Sequence, residues 1–339
     1  MALNEFQYLR PRTIEQAVEM LARYASAPDA RQTESRVQIV AGGTDLIPSM
    51  KQKLFTPDRV IDIRGIEELR GIKVVPGVGV EIGALTTLSQ IEDSEYILRS
   101  YPVLREAAMT VASPILRNMG TLGGNICLDT RCVWYNQSLA WRKSCGFCIK
   151  KDGDLCHVAP GGKKCWAVFS GDTAPALMCI DAEVEVAGPT GYRHVSMTEF
   201  YTNIGDARSV LKRNEIVTRI VLPEGTRGYA GSYQKLRLRG TIDYPLAGVA
   251  VALRKSASGI IEDARVAITG VNPAPHLVPN VAHALVGRRA PVDEMSAMVV
   301  GELAAKVAKP LTTSLLTPEY RREMVRVFAK RAVLAAAKS

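Results

Sequence analysis

Two short glycine-rich turns constrain the fold of this 339-residue chain more than any other feature. The first, Ala41 to Asp45, follows the β-type run Val37 to Val40, and the second spans Gly120 to Asn125. Glycine lets backbone N–H groups approach a phosphate without a Cβ in the way, and successive N–H groups in such turns form an anion-binding nest. Two such nests in one chain suit a pyrophosphate that is held from both sides.

The two turns do not match the commonest nucleotide-binding motifs. Neither has the G-x-G-x-x-G spacing of a dinucleotide fingerprint, and the chain has no G-x-x-x-x-G-K-[ST] sequence. Either turn alone is also compatible with an ordinary tight turn. As a pair, they predict a nucleotide cofactor on a fold other than the Rossmann fold.

Hydrophobic periodicity mixes helices and strands along the chain. Thr13 begins a Thr-Ile-Glu-Gln capping-box pattern, which predicts a helix that ends near Ser26. Further helices are predicted at 96–112, apart from Pro102, and at 293–308 and 318–337. Strands are predicted at 37–40, 60–63, 78–83, 182–186, 215–223, 233–239, 248–253 and 264–268. With a linker at 224–231, this order predicts an α+β chain with a domain boundary near residue 225.

The overall charge is basic, with 43 Lys and Arg against 34 Asp and Glu. The charge is spread out and aromatic residues make up only 6% of the chain, so we expect no nucleic-acid partner. Apolar stretches are far shorter than the roughly 18–20 residues that span a bilayer. Met1 to Glu5 lacks a basic region followed by an apolar core. These features predict a cytoplasmic protein with no membrane contact.

Six of the seven cysteines fall between positions 127 and 165. Cytosolic thiols stay reduced, so this clustering favours a metal site over disulfides. Four thiolates suit either an iron–sulfur cluster or zinc. Zinc is disfavoured by the presence of a single C-x-x-C pair, Cys145 with Cys148, and Tyr135 interrupts the plant-type [2Fe–2S] spacing that begins at Cys127. Free cysteines without a metal remain an alternative.

Three motifs, in this order, resemble the FAD subunits of the xanthine dehydrogenase and carbon monoxide dehydrogenase family, the molybdenum hydroxylases. They are Ala-Gly-Gly-Thr-Asp at 41–45, Leu-Arg-Asn-Met-Gly-Thr-Leu-Gly-Gly-Asn at 116–125 and Asp-Thr-Ala-Pro-Ala-Leu at 172–177. The resemblance implies a vanillyl-alcohol-oxidase (PCMH)-like FAD-binding domain over 1–225, with subdomains of about 1–58 and 59–225. It also implies an α+β C-terminal domain of the CO dehydrogenase flavoprotein type over 230–339.

The same resemblance implies which residues bind FAD. The first motif would wrap the pyrophosphate, the second would line its other side, Asp172 would lie near the flavin, and Leu222 would lie near the adenine or the ring edge. The full implied set is Ala41, Gly42, Gly43, Thr44, Asp45, Leu46, Asn118, Gly120, Thr121, Gly123, Gly124, Asn125, Asp172, Leu222 and Lys235. No residue of this chain is implied to contact the substrate of the enzyme.

Residues 128–167 form an insertion without clear periodicity between the second and third motifs. Its sequence, including Leu128–Gln137 and Trp141–Lys143, resembles the β subunits of the 4-hydroxybenzoyl-CoA reductases, which carry an extra [4Fe–4S] cluster. The resemblance implies that the cluster ligands are Cys132, Cys148, Cys156 and Cys165. Cys145 would be a surplus thiol, and Cys127 and Cys179 would be buried thiols.

The resemblance further implies an electron-relay subunit. Electrons would enter from ferredoxin at the [4Fe–4S] cluster, pass to FAD, and continue through a small subunit with two [2Fe–2S] clusters to a large molybdopterin-binding subunit. There, 4-hydroxybenzoyl-CoA would be reduced to benzoyl-CoA by a dimer of heterotrimers. The insertion has seven Lys and Arg against three Asp and Glu, and we expect it to protrude and to dock the acidic ferredoxin.

Two other functions fit the same sequence. One is the FAD subunit of a related dehydrogenase that acts on a purine, an aldehyde or an N-heterocycle and passes electrons outward. The other is a non-enzymatic regulator that binds FAD or zinc.

Overall fold

The computed structural model describes residues 2–25 and 36–339. The strands are β1 (Gln7–Leu9), β2 (Val37–Val40), β3 (Arg59–Asp62), β4 (Ile72–Val75), β5 (Gly79–Gly83), β6 (Glu183–Gly188), β7 (Gly191–Ser196), β8 (Ile216–Pro223), β9 (Ala230–Leu236), β10 (Ala247–Lys255), β11 (Ile261–Thr269) and β12 (His276–Leu277). Within these residues they form three sheets, of order β1-β3-β2, β4-β5-β8-β6-β7 and β12-β11-β10-β9.

The helices lie between and outside these sheets. They are α1 (Ile14–Tyr24), α2 (Leu46–Lys51), α3 (Leu88–Asp93), α4 (Glu95–Ser100), α5 (Pro102–Met109), α6 (Pro114–Arg117), α7 (Leu122–Ile126), α8 (Leu139–Ser144), α9 (Thr173–Cys179), α10 (Val281–Leu285), α11 (Glu294–Val307) and α12 (Pro318–Lys338). No helix in the described ranges has the length and apolar character needed to cross a membrane.

The first subdomain is a parallel three-stranded sheet covered by α1. The hydroxyl of Thr13 accepts the N–H of Gln16 at 3.2 Å, as the capping pattern predicts. The Gln16 side chain, however, accepts the N–H of Arg12 at 2.8 Å. The buried face of α1 follows helical spacing through Ile14, Ala17 and Leu21. The predicted end of this helix near Ser26 lies outside the described residues.

The second subdomain is the antiparallel five-stranded sheet, whose hydrophobic core includes residues of α3, α4, α5, α7 and α9. The helical prediction for 96–112, apart from Pro102, corresponds to two helices, because α4 ends at Ser100 and Pro102 begins α5. Proline has no N–H to continue a helix but is well suited to a first helical turn. The sequence also missed the exposed strands β4 and β7, which lie at the two edges of this sheet.

The C-terminal domain places its sheet between two helical layers. In β10, Val249, Val251 and Leu253 face α11 and α12, while the small side chains Ala250 and Ala252 face the FAD-binding domain. Both faces are buried, so the strand lacks polar alternation. Because the core runs through these alanines, the sequence boundary near 225 is not a structural gap.

Strand β9 begins at Ala230, earlier than the predicted start at Tyr233, inside the predicted linker. Gly231 explains the difference, because a Cβ there would lie 2.6 Å from the Cβ of Val103 in α5. The strand therefore needs a residue without a side chain where the helix crosses it. A glycine at such a place lowers the β propensity of the sequence without ending the strand.

The insertion at 128–167 is packed rather than protruding over much of its length. It contains α8, and its side chains Cys132, Tyr135 and Cys165 share a hydrophobic cluster with the first subdomain. Its Arg142 is buried and donates to the carbonyl oxygen of Lys53 at 2.8 Å. The expectation of a protruding, structureless loop is therefore wrong for this inner half, because apolar residues of the insertion cover an apolar face of the first subdomain.

Candidate functional site

The first glycine-rich motif forms the turn between β2 and α2. Gly43 has a φ of +73°, a backbone conformation that favours glycine. Gly42 lies against the second motif so closely that a Cβ would overlap the carbonyl oxygen of Met119. The two motifs, distant in the sequence, therefore touch each other through backbone atoms.

The second motif leads into the short helix α7. The hydroxyl of Thr121 accepts the N–H of Gly124 at 3.1 Å, and Gly123 packs against Ala84, where a Cβ would lie 2.8 Å from the Ala84 carbonyl oxygen. The carboxamide oxygen of Asn125 accepts the hydroxyl of Thr173 at 2.6 Å. Asn125 thus joins the second motif to the third.

Asp172 begins the third motif and is held by two residues of the C-terminal domain. The Tyr233 hydroxyl donates to its Oδ1 at 2.8 Å, and the Lys235 ammonium group donates to its Oδ2 at 2.9 Å. Both charged side chains are almost fully buried, at 4% and 2% exposure. Burial, together with the Asp172 carboxylate, raises the pKa of Tyr233 well above its ordinary value, so the phenol stays protonated and donates.

A cavity of about 1090 Å³ runs between the three motifs. This is at the upper end of the ~300–1,000 Å³ usual for ligand sites, as suits a dinucleotide-sized cofactor. The cavity is lined by twelve of the fifteen residues that the sequence predicts to bind FAD: Ala41, Gly42, Gly43, Thr44, Asp45, Leu46, Gly120, Thr121, Gly123, Gly124, Asn125 and Asp172. We call it the flavin cleft below.

Three predicted residues lie outside the walls of the flavin cleft. Lys235 does not line the cleft itself but donates a hydrogen bond to Asp172, which does. Asn118 accepts a hydrogen bond from Ser89 at 2.6 Å. The side chain of Leu222 is fully buried in the core of the second subdomain. Its side chain therefore does not line the cleft, and the position of Leu222 near the adenine or the ring edge stays a prediction.

The flavin cleft has walls that the sequence analysis did not predict. Arg208 and Arg213 come from the segment after β7, and Tyr244 comes from the C-terminal domain. The Tyr244 hydroxyl donates to Asp45 at 2.6 Å, and Arg131 of the insertion stacks on the Tyr244 ring at 3.9 Å. The cluster of basic residues at 208–213 was the available signal, since cations complement a pyrophosphate.

A second, small cavity is enclosed by the insertion. Its walls include Cys132, Cys148, Cys156 and Cys165, the four thiols that the sequence resemblance selects. Among the described residues, the walls of this cysteine cavity and those of the flavin cleft have no member in common. Within the same described residues, no group of three or more His, Cys, Asp or Glu is close enough to hold a single metal ion.

The remaining cysteines lie elsewhere. Cys145 follows α8 and does not line the cysteine cavity. Cys179 is fully buried in α9, as expected, and faces the carbonyl oxygen of Ala250 at 3.5 Å. Cys127 was expected to be a buried thiol but is only partly buried and lines the flavin cleft.

Burial and charge both act on the cavity thiols. Burial raises the pKa of Cys132 to about 11 and that of Cys165 to about 12, and the Lys150 ammonium group opposes part of each rise. Gly205 backs Cys165 so closely that a Cβ would lie 2.7 Å from the Cys165 sulfur. Soft thiolate ligands in apolar surroundings fit an iron–sulfur cluster in ligand type and number.

The basic residues of the insertion differ in exposure. Arg142, Lys150 and Lys151 are buried, whereas Lys143 and Lys163 are exposed and Lys164 is partly exposed. The local positive excess is therefore only partly available to a partner protein.

A dinucleotide-sized cleft between paired backbone cradles, closed by an α+β domain, defines a flavoprotein of the non-Rossmann class. In sequence, residues 4–225 match the FAD binding domain in molybdopterin dehydrogenase, and residues 231–336 match the CO dehydrogenase flavoprotein C-terminal domain. The chain therefore belongs to the family of FAD-binding subunits of molybdenum hydroxylases. This membership confirms the predicted fold class and FAD as a cofactor.

Individual relatives agree with the family. The carbon monoxide dehydrogenase medium chain of Afipia carboxidovorans is 30% identical over 334 residues, which cover 98% of this chain and 97% of that protein. An aldehyde oxidoreductase FAD-binding subunit of Escherichia coli is 32% identical over 260 residues, which cover 74% and 80%. The solved carbon monoxide dehydrogenase from Hydrogenophaga pseudoflava has a TM-score of 0.78 at 27% identity, covering 99% and 98%. The chain is thus an oxidoreductase subunit and not a non-enzymatic regulator.

Proposed function

We propose that this chain is the FAD and [4Fe–4S] electron-transfer subunit of a molybdenum-containing 4-hydroxybenzoyl-CoA reductase. Cys132, Cys148, Cys156 and Cys165 hold the cluster, and the flavin cleft holds FAD. A cluster transfers single electrons and a flavin accepts one or two, so the pair stores and relays electrons without contact to the aromatic substrate.

One observation carries the proposal: four cysteines from separate parts of the insertion line one cavity, while the neighbouring Cys145 stays outside it. Each iron of such a cluster takes one thiolate from the protein. Bare C-x-x-C spacing would have paired Cys145 with Cys148, but Cys148 lines the cavity and Cys145 does not. Gly146 and Phe147, which lie between them, have φ values of +74° and +61°.

The proposed partners follow from this role. Ferredoxin is the electron donor, and a small subunit with two [2Fe–2S] clusters and a large molybdopterin-binding subunit complete a cytoplasmic dimer of heterotrimers. The names of two relatives support a multi-subunit assembly, since one is a medium chain and the other an FAD-binding subunit.

Metal analysis of anaerobically purified complex tests the cluster. We expect the iron and acid-labile sulfide of all clusters in the wild type and in Cys145→Ser. Cys156→Ser should contain only about half of each, because the [2Fe–2S] clusters of the small subunit remain. FAD should remain bound in all three, because the cysteine cavity and the flavin cleft are lined by separate residues. Zinc in place of the additional iron and sulfide in the wild type, or cluster loss only in Cys145→Ser, would contradict the assignment.

A second function is favoured by the names of the relatives, which include dehydrogenases of carbon monoxide and nicotinate and an aldehyde oxidoreductase. In that case this subunit passes electrons outward from the molybdenum site. The complex should then oxidise a substrate with an artificial acceptor and fail to reduce 4-hydroxybenzoyl-CoA with reduced ferredoxin. The opposite result supports the reductase.

A further inference from the structure

We propose that a buried chain of charges, Lys150–Asp129–Arg208, forms the wall between the cysteine cavity and the flavin cleft, and that Lys150 raises the reduction potential of the cluster. This inference rests on the proposed function, because it requires the cluster that the four cysteines are assigned to hold. It adds a role for residues that ligate neither cofactor.

Lys150 is the charged residue on the cluster side of this wall. It lines the cysteine cavity, and its side chain is 1% exposed. Its ammonium group donates to the Asp129 carboxylate at 2.9 Å, to the Thr130 carbonyl oxygen at 2.8 Å and to the Gly205 carbonyl oxygen at 3.1 Å. Such a set of acceptors fixes the charge in place in a site from which water is excluded.

Asp129 and Arg208 form the flavin side of the wall. Both line the flavin cleft, and the guanidinium of Arg208 lies 3.5 Å from the Asp129 carboxylate. Arg208 also donates to the carbonyl oxygen of Cys127 at 3.1 Å. The Lys150–Asp129 ion pair therefore crosses directly from one cavity to the other.

Two stretches of backbone also connect the cysteine cavity to the flavin cleft. Asp129 in the flavin cleft is three residues from Cys132 in the cysteine cavity. On the other side, the N–H of Gly205 donates to the carbonyl oxygen of Cys165 at 3.0 Å, and the next residue, Asp206, lines the flavin cleft. Thr130 donates its hydroxyl to Gly205 and so ties the two connections together.

The sign of the electrostatic effect follows from charge. Reduction adds one negative charge to a cluster that already has four thiolates, so a nearby buried cation favours the reduced form. Burial matters because the same charge in water is screened several-fold more strongly than in the protein interior. The negative charge of Asp129, which lines the flavin cleft and not the cysteine cavity, partly offsets the effect of the Lys150 cation on the cluster.

Matched charge variants of the whole complex test this role by redox titration of the cluster's EPR signal. For Lys150→Met we expect a lower potential, by about tenfold in the one-electron equilibrium constant, which is about 59 mV. Asp129→Asn should shift it in the opposite direction. Lys163→Met removes the same charge from an exposed position two residues from Cys165 and should shift the potential much less.

The outcomes separate this inference from the proposed function. A wild type whose iron and sulfide do not exceed those of the two [2Fe–2S] clusters refutes the cluster itself. With the cluster present, equal potentials in wild type and Lys150→Met, or shifts of the same sign in Lys150→Met and Asp129→Asn, overturn the electrostatic role. If Lys150→Met loses the cluster, the Asp129→Asn variant decides between the possibilities. A raised reduction potential in Asp129→Asn supports the electrostatic role. An unchanged potential, or loss of the cluster in Asp129→Asn as well, shows that the wall has only a structural role.

Discussion

Gly42 has a role that depends on a single missing atom. Its Cα faces the carbonyl of Met119, and this contact brings the two glycine-rich motifs together. A backbone-to-backbone contact cannot yield as a flexible side chain can, so any side chain at position 42 must move one motif away from the other. The flavin cleft depends on this approach because its two anion nests come from the two motifs.

Gly42→Ala should therefore weaken FAD binding, by at least about tenfold, or ~1.4 kcal/mol. Gly225→Ala is the matched control, since no atom lies within 4 Å of a Cβ at that position. The measurement is a flavin titration of the deflavinated complex, followed by absorbance. Equal affinities of Gly42→Ala and wild type would show that the motifs tolerate separation.

Asp62, the last residue of β3, is hydrogen-bonded to Arg64 in the turn that follows this strand. Its side chain is 2% exposed and is bound by Arg64 through two bonds of 2.9 Å and by the Tyr8 hydroxyl. Burial alone would raise its pKa, but the hydrogen bonds from Arg64 and Tyr8 outweigh burial and lower the pKa to about 2. The ionised form is therefore the one that the fold stabilises.

The lowered pKa of Asp62 makes the stability of the protein depend on pH. A carboxylate with a lowered pKa contributes stability above its unfolded-state pKa of about 4 and loses it as the pH falls towards 2. Asp62→Asn should lower the free energy of unfolding at pH 7 by about 1–2 kcal/mol, with a smaller difference from wild type at pH 3. Urea unfolding at both pH values measures this. The control Asp58→Asn, which removes an exposed ion pair with Arg36, should change little.

Among the secondary-structure elements, α9 and β9 are joined by the most deeply buried ion pair at the flavin cleft. Asp172 begins α9, and Lys235 lies near the end of β9 and also donates to the carbonyl oxygen of Thr110, just after α5. The pair therefore connects the FAD-binding domain to the C-terminal domain at the cleft wall. Because Asp172 lines the cleft, this connection also sets the position of a predicted cofactor contact.

Lys235→Met should destabilise the protein by about 3–5 kcal/mol, because it leaves the Asp172 carboxylate buried without its cation. Lys330→Met breaks a more exposed pair with Glu294 and should cost less than about 1 kcal/mol. Urea unfolding of the flavin-loaded protein measures both. The double variant Lys235→Met with Asp172→Asn should recover part of the loss, and its failure to do so would argue against a charge effect.

In the whole molecule, the insertion connects all three structural units. It packs on the first subdomain, its Arg131 contacts Asp45 and Tyr244 at the flavin cleft, and the N–H of Val133 donates to the carbonyl oxygen of Thr313 at 2.8 Å. The insertion is thus held between the flavin cleft and the outer surface. This position suits a relay from an external donor to FAD.

The exposed cations of the insertion are a candidate docking surface for the ferredoxin that we propose as the electron donor. Electron transfer from ferredoxin should slow steeply with ionic strength, because surface charges are screened within a Debye length of about 8–10 Å. Lys163→Glu combined with Lys143→Glu should slow it further at low salt. Lys73→Glu, an exposed charge in β4, is the control and should have little effect. A rate that does not change with salt would contradict this docking surface.

Local sequence patterns predict much of the secondary structure of this protein. Capping residues, glycine turns and alternating strands predict most elements of the fold, because these signals act between neighbouring residues. The cysteine spacing was less informative: it left zinc and free thiols as alternatives, and the four ligands were selected by resemblance. Tyr244 has no local pattern that points to a cofactor. The basic cluster at 208–213 is visible in the sequence but does not show that Arg208 lies at the flavin cleft.

The sequence alone predicts a nucleotide cofactor and a cysteine-rich insertion, since backbone freedom at glycine and thiolate chemistry are properties of the residues themselves. The order of the motifs identifies the cofactor as a flavin through the family resemblance. The contact between Gly42 and Met119, the exclusion of Cys145 from the cysteine cavity and the Lys150–Asp129–Arg208 wall arise only in the folded protein. Each depends on where segments distant in sequence meet, and that is decided by packing and burial rather than by any local pattern.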